Sequence, residues 1–235
     1  MATIETYFKP TLLYRYRSLG ATTRGNSYRI DPNLLEREIR AIESNYIYCS
    51  TYNAMNDPME GLYRTTRRVK QSDDYEEVVR ELKNEKLGLG VASFCEAWDN
   101  ELMWAHYAGG FCGICVAYSL SKLLDGLDNN HTFTRVAYGD RPYSLNLAGR
   151  RDRADRARAV LSTKSLKWAY EREWRLFAPT PGEAAHGAGA ASHVYLGARF
   201  TTADRNRLTH GLERAGIEVR PTRINGYAVE VEQDD

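Results

Sequence analysis

The sequence has no apolar run approaching the ~20 residues that a membrane-spanning helix needs. No basic stretch followed by an apolar one opens it, so no signal peptide is expected. Cysteine is scarce. Cys49, Cys95, Cys112 and Cys115, in a chain this long and without a secretion signal, read as free thiols in a reducing cytoplasm. An excess of either charge is also missing: 32 Lys and Arg stand against 31 Asp and Glu, a net charge of +1. That balance argues against a polybasic nucleic-acid binder, whose affinity would come from counterion release, but leaves room for a local basic groove. Phenylalanine is sparse beside tyrosine, 6 against 16. Tyrosine joins an apolar ring to a polar tip, so this bias suits a cleft lined with partly wet aromatics. The sequence contains no GxGxxG after its first strand and no GxxxxGK[ST], GxSxG or HExxH.

What is present fits one α+β domain over residues 1–235. Leu12–Ser18 alternates as a strand should, and Tyr46–Ser50, Val91–Cys95, Gly113–Tyr118, Phe133–Tyr138 and Glu173–Ala178 are further expected strands. His193–Gly197, Ile217–Arg220 and Tyr227–Val231 follow late in the chain. Asp31-Pro32 opens a helix with Leu35, Ile39 and Ile42 as its apolar stripe. Asp73–Lys86 reads as a surface helix, and Asp99 as the cap of a helix that ends at Gly109-Gly110. Ser119–Leu127 and Thr202–Ala215 complete the helices on that side of the chain. Strands outnumber long helices without alternating with them, which predicts a mostly antiparallel sheet with flanking helices. Pro179–Ala191, rich in Gly, Ala and Pro, is expected to be a flexible loop. Arg150–Leu161 is expected to be a helix with an Arg-rich face, solvated or phosphate-binding.

Cys112-Gly-Ile-Cys115 has the look of a metal or redox pair. On a buried strand, however, residues three apart face opposite sides, so core cysteines are expected unless Gly113 makes a turn. No second close Cys/His pair completes four ligands, so no metal is expected.

Three segments carry candidate chemistry. In Tyr14-Arg15-Tyr16-Arg17 the two arginines share one strand face and the two tyrosines the other. Burying an arginine is costly without a partner, so at least one should hold an anion or a carboxylate; the alternative is that both pair with structural acids. In Tyr48-Cys49-Ser50-Thr51 the hydroxyls end a strand, and Asn56-Asp57-Pro58-Met59-Glu60 follows, with Asn-Asp-Pro as a turn former and Asp57 a possible cap of the next helix. In Trp168-Ala-Tyr-Glu171-Arg-Glu173-Trp174-Arg175, an extended backbone would point Glu171 and Glu173 the same way, about 7 Å apart. Two like charges that close need a cation or a ligand between them, and Arg175 is the expected cation. Three large aromatics around the acids suit a ligand cleft.

The sequence resembles a bacterial family of unknown function, the domain-of-unknown-function family numbered 2971 (DUF2971). The resemblance rests on Leu13–Arg17, on Tyr48-Cys49-Ser50 with Asn56–Glu60 after it, on Met103-Trp104-Ala105-His106-Tyr107 with Gly113-Ile114-Cys115, and on Lys167–Arg175. It implies a family and no activity. The order Arg on one strand, Ser-Thr ending the next and Glu-x-Glu on a later one is also similar to the Arg–Ser–Glu pattern of ADP-ribosyltransferases, whose split α+β sheet holds NAD in a cleft. That resemblance implies that Arg15 contacts the NAD phosphate or ribose. Ser50, supported by Thr51, would brace the glutamate and the nicotinamide ribose. Glu173 would be the catalytic carboxylate, and Glu171 would orient the incoming nucleophile. Tyr48, Tyr52, Trp104 or Tyr107 would stack on nicotinamide, while His106 is expected to be a packed core residue. The chain is thus expected to be a cytoplasmic NAD-consuming ADP-ribosyltransferase or NAD glycohydrolase. Its setting would be that of a bacterial toxin or anti-phage effector, with NAD as substrate, no metal and a macromolecular acceptor of protein or nucleic acid. The alternative is a non-catalytic module binding nucleotide, nucleic acid or protein in the same cleft, with the Arg150–Arg158 face as its motivation.

Overall fold

A computed structural model describes residues 3–5, 9–22, 28–145 and 153–232. Nine strands form the main sheet: β1 (Thr3–Glu5), β2 (Leu12–Arg17), β3 (Gly90–Cys95), β4 (Ile114–Ser119), β5 (Thr132–Arg135), β6 (Glu173–Ala178), β7 (Ala191–Leu196), β8 (Glu218–Asn225) and β9 (Ala228–Val231). Their spatial order is β1-β5-β6-β3-β2-β4-β7-β8-β9, antiparallel except at β1–β5 and β7–β8. This is the expected α+β class with a large, mostly antiparallel sheet. No helix among the described residues is long and apolar enough to cross a membrane.

Period-two alternation divides the core. Leu13, Ala92, Phe94, Ile114, Val116, Leu176, Val194 and Leu196 face one side, where helices Pro32–Glu43 and Thr202–Arg214 cover them with Leu35, Ile42, Leu208 and Leu212. On the other side Tyr16, Cys95, Cys115 and Tyr195 pack on helix Glu101–Tyr107 through Met103 and Trp104. A third cluster joins Val91 and Phe177 to helices Tyr75–Gly88 and Arg153–Leu161.

The sheet is interrupted at its middle. β2 pairs with β4 along its whole length but with β3 only at Tyr14↔Cys95. Continued antiparallel pairing would set Arg15 opposite Phe94 and Arg17 opposite Ala92, and those pairs do not form. The two strands diverge from Tyr14 onward and leave a wedge. Gly113 fixes the far end of β2, because a Cβ there would lie 2.3 Å from the Arg17 carbonyl oxygen.

Several expectations are corrected. Pro179–Ala191 contains a strand, Gly182–Ala185, paired antiparallel with Tyr46–Cys49, and Ala184 is buried. Its small residues let two backbones approach closely; Gly90 lies against Thr180 and Pro181 in the same way. Asn100 rather than Asp99 caps the helix Glu101–Tyr107, accepting from the Leu102 and Met103 amides. Cys112 sits in a turn before β4, and all four thiols are buried and unbonded to one another. Burial pushes the Cys49 thiol up to about 11 and Cys95 to about 12, so neither is a ready thiolate. Of the expected Arg-rich face, Arg150 and Arg151 lie outside the described residues, and the helix runs Arg153–Leu161. Arg158 is paired with Asp155 at 2.5 Å, and Ala157, Val160 and Leu161 are core, so part of that face is spent on packing.

Candidate functional site

The wedge between β2 and β3 opens into a cavity of about 240 Å³. Arg15, Tyr16 and Arg17 line it from β2, and Val91–Phe94 from β3. Ser50 closes one end, held to Val91 by reciprocal backbone bonds of 2.9 and 2.7 Å. The exposed turn Ala54–Asn56 forms the rim, and Glu171, Glu173, Lys164 and Tyr107 line the opposite wall. Segments distant in sequence, around Arg15, Ser50 and Glu171–Glu173, therefore meet at one hollow. The alternation of β2 sends Arg15 and Arg17 to the face of Phe94, whereas Glu173 lies on the face of Ser93 and Cys95. Both faces reach the same cavity because the sheet is open there.

The acidic wall is a buried charge cluster. Glu171 ends the 3₁₀ helix Leu166–Glu171 and Glu173 starts β6, so they do not share an extended segment as expected. Arg172 between them adopts left-handed backbone (φ 44°), a conformation costing roughly 1–2 kcal/mol for a residue with a Cβ. That kink still brings both carboxylates to one cation. The cation is Lys164, 2.6 Å from Glu171 and 3.2 Å from Glu173, its Nζ 5.0 Å from the Trp168 ring centre. Arg175, expected to bridge the two acids, instead bridges Glu173 and Glu60. Its Nε and Nη2 donate to Glu173 at 2.8 and 3.0 Å, and its Nη1 and Nη2 to Glu60 at 2.6 and 3.0 Å. Nη1 also donates to the Leu161 carbonyl, so all five guanidinium N–H groups are used.

The two acids are unequal. Glu173 accepts from Arg175 twice and from Lys164, three bonds from cationic donors. Burial alone would raise its pKa, but Arg175 and Lys164 outweigh burial and hold it well below the usual carboxylate range. Glu171 accepts only from Lys164 and from the Tyr107 hydroxyl at 2.5 Å. Burial and the Glu173 charge raise its pKa, against the pull of Lys164 and Tyr107. Two carboxylates whose surroundings push them apart divide the acid–base work: one stays ionised, the other exchanges a proton. Asn56, on the exposed rim, and Tyr107 line the same cavity.

The basic wall is simpler. Glu38 pairs with Arg17 at 2.6 Å and with Arg37 at 3.0 Å, so Arg17 holds a structural acid. Arg15 has no carboxylate among the described residues. It donates to the Tyr48 carbonyl at 3.0 Å and sits 5.8 Å from the Phe94 ring centre, and burial and the Arg17 charge depress its pKa.

The other expected site residues are dispersed. Thr51 and the Tyr48 and Tyr52 side chains do not line the cavity; Tyr48 points to solvent and the Tyr52 ring covers Lys86. Trp104 is fully buried, edge-on to Tyr16 at 5.2 Å, and so is core rather than a stacking surface. His106, expected in the core, is exposed, since the buried stripe of its helix is Met103 and Trp104. Asp57 accepts from the Met59 amide at 2.8 Å within a turn; no helix follows it, so the expected helix cap is a turn contact instead. Lys164 and Glu60 escaped sequence reasoning as a cation and a counter-acid.

Residues 103–176 match the model of a family described as a protein of unknown function, DUF2971. The DUF2971 match covers roughly a third of the chain. It contains Tyr107, Lys164, Glu171, Glu173 and Arg175, the acidic wall without Glu60, and leaves Arg15 and Ser50 outside. No curated protein and no solved structure matches the chain.

The cluster has a pH signature. Glu173, with its pKa depressed to about 2, contributes stability above its unfolded value of about 4.3 and loses it as pH falls between them. Wild type is therefore expected to be more stable than Glu173→Gln at pH 7, where the carboxylate charge faces Arg175 and Lys164. Urea titrations from pH 7 to 2 should show this margin shrinking below pH 4.5; a margin constant with pH would contradict the assignment.

Proposed function

We propose that the cavity binds NAD and that the protein cleaves its nicotinamide–ribose bond, as an NAD glycohydrolase or ADP-ribosyltransferase. The observation that carries this reading is the meeting of Arg15, Ser50 and the Glu171/Glu173 pair at one opening in an otherwise continuous sheet. The polarity of the hollow supports it. One wall offers an arginine without an acid partner. The other carries Glu60, Glu171 and Glu173 against Lys164 and Arg175, one negative charge in excess when all are ionised. NAD has a matching polarity, with anionic phosphates at its centre and a cationic nicotinamide ring at one end. The cavity is smaller than the ~300–1,000 Å³ of most small-molecule sites, so it would take the nicotinamide–ribose half while the adenosine half lies outside.

Departure of nicotinamide builds oxocarbenium character at the anomeric carbon, as in glycoside hydrolysis. A negative wall in a water-poor site stabilises that charge without reorganising. The three bonds from Arg175 and Lys164 to Glu173 shift the roles that the resemblance implied. Glu173 would hold Lys164 and Arg175 in place and supply a fixed negative charge. Glu171, with acceptor capacity left, would meet the reacting ribose or the nucleophile. Ser50 would bond the ribose, and the Tyr107 ring would flank it.

Arg15 separates binding from folding. Among the described residues it makes no ion pair within 4 Å, and Glu38 keeps Arg17 and Arg37, so Arg15→Ala should leave the melting temperature within a few degrees of wild type. A ligand at 100 times its Kd stabilises a protein by ~2.7 kcal/mol. Saturating NAD is thus expected to raise the wild-type melting temperature by several degrees and to leave Arg15→Ala nearly unmoved. The same shift in both proteins, or none in wild type, would refute the site.

A further inference from the structure

We propose that the acceptor in this site is water, making the protein an NAD glycohydrolase rather than a macromolecular ADP-ribosyltransferase. The inference rests on the NAD reading above and concerns what attacks the ribose. Four observations carry it. The carboxylate that would receive the nucleophile's proton lies at the inner wall: the Glu171 side chain is 3% exposed, and its neighbours Glu173 and Lys164 are 5% and 6%. Tyr107 covers one Glu171 oxygen at 2.5 Å, and Asn56 lines the rim of the same cavity, so the approach from the rim passes both side chains. Lys164 covers the other oxygen. The cavity is small, about 240 Å³ against the ~300–1,000 Å³ of most small-molecule sites, and Glu171 lies at its inner wall. A protein side chain or a nucleobase brings its own backbone or sugar with it and would have to pass Tyr107 and Lys164 to reach Glu171, whereas a water needs no such opening.

The step balances. The bond between the ribose anomeric carbon and the nicotinamide nitrogen breaks, and its electron pair leaves with nicotinamide, which becomes neutral. A water oxygen bonds the anomeric carbon, and one water proton passes to the Glu171 carboxylate and from there to solvent. The products are nicotinamide, ADP-ribose and a proton. Glu171 must be ionised to take the proton, so turnover should fall on the acidic side of its pKa.

The test uses the full chain with NAD labelled in its adenylate half, in water enriched in oxygen-18, with total protein and nucleic acid added as competing acceptors. Nicotinamide and free ADP-ribose are expected in equal amounts, with the heavy oxygen at the anomeric carbon and less than a tenth of the released label on macromolecules. Label on protein or nucleic acid in proportion to nicotinamide released would overturn the water assignment and leave the NAD reading standing. Absence of any nicotinamide release, with or without acceptors, would overturn both. Asn56→Ala supplies a second readout. Opening the rim should leave the product as free ADP-ribose if water is the built-in nucleophile; transfer to protein already present in wild type and only increased by the variant would count against it.

Discussion

Replacing Arg175 by methionine is expected to destabilise the fold by about 3–5 kcal/mol, a large share of the ~5–15 kcal/mol that holds a typical domain folded. The reason is local and countable. Arg175 is fully buried and donates to both oxygens of Glu60 and of Glu173 and to the Leu161 carbonyl. Removing it leaves two carboxylates, each at most 5% exposed, with one lysine between three acids. Removing one partner of a buried pair costs far more than the pair contributes, because the remaining charge has neither water nor counterion. Arg175→Lys should be nearly as damaging, since an ammonium cannot make two bidentate contacts. Simultaneous Glu60→Gln with Arg175→Met should recover part of the loss by deleting one stranded charge. Urea unfolding of the three variants checks this; a loss under 1 kcal/mol for Arg175→Met would mean that the cluster is not the anchor described.

Glu171→Gln should have the opposite profile. We expect NAD cleavage to fall by a factor of about 10²–10⁴, the usual contribution of a positioned acid or base, while the fold survives. Glutamine keeps the size: its one oxygen can accept from Lys164 while its NH2 donates to the Tyr107 hydroxyl oxygen, and it removes one of three clustered negative charges, which relieves Glu173. The melting temperature should stay level or rise. Nicotinamide release measured by chromatography, beside a melting curve, separates this from a structural defect. Unchanged turnover would move the chemistry to another residue.

The uneven legibility of these residues has a physical origin. Short-range periodicity was readable: alternation along Leu12–Arg17 places Arg15 and Arg17 on one face, and Glu173–Ala178 is a strand with the bounds expected for it. The helix opened by Asp31-Pro32 is where its cap and apolar stripe put it. Partnerships made across the fold were not readable. Lys164 stands on a three-residue strand with no motif around it, and Glu60 belongs to a turn whose residues already had a sufficient local explanation. Trp104 and His106 show the same limit on one helix. Their apolar neighbours in sequence say nothing of which way each side chain turns, and tertiary packing buries one and exposes the other. The strand in Gly182–Ala185 was hidden because composition that favours loops also permits close backbone pairing at a sheet edge.

The central claim is that the break between β2 and β3 is an NAD site with Arg15 on one wall and Glu171 on the other. A crystal structure of the Glu171→Gln protein soaked with NAD tests it most directly. The account predicts nicotinamide ribose in the wedge, its anomeric carbon within about 4 Å of the residue 171 side chain and a phosphate oxygen in hydrogen-bond reach of Arg15. NAD bound elsewhere on the protein, or a wedge still empty at saturating NAD, would contradict it.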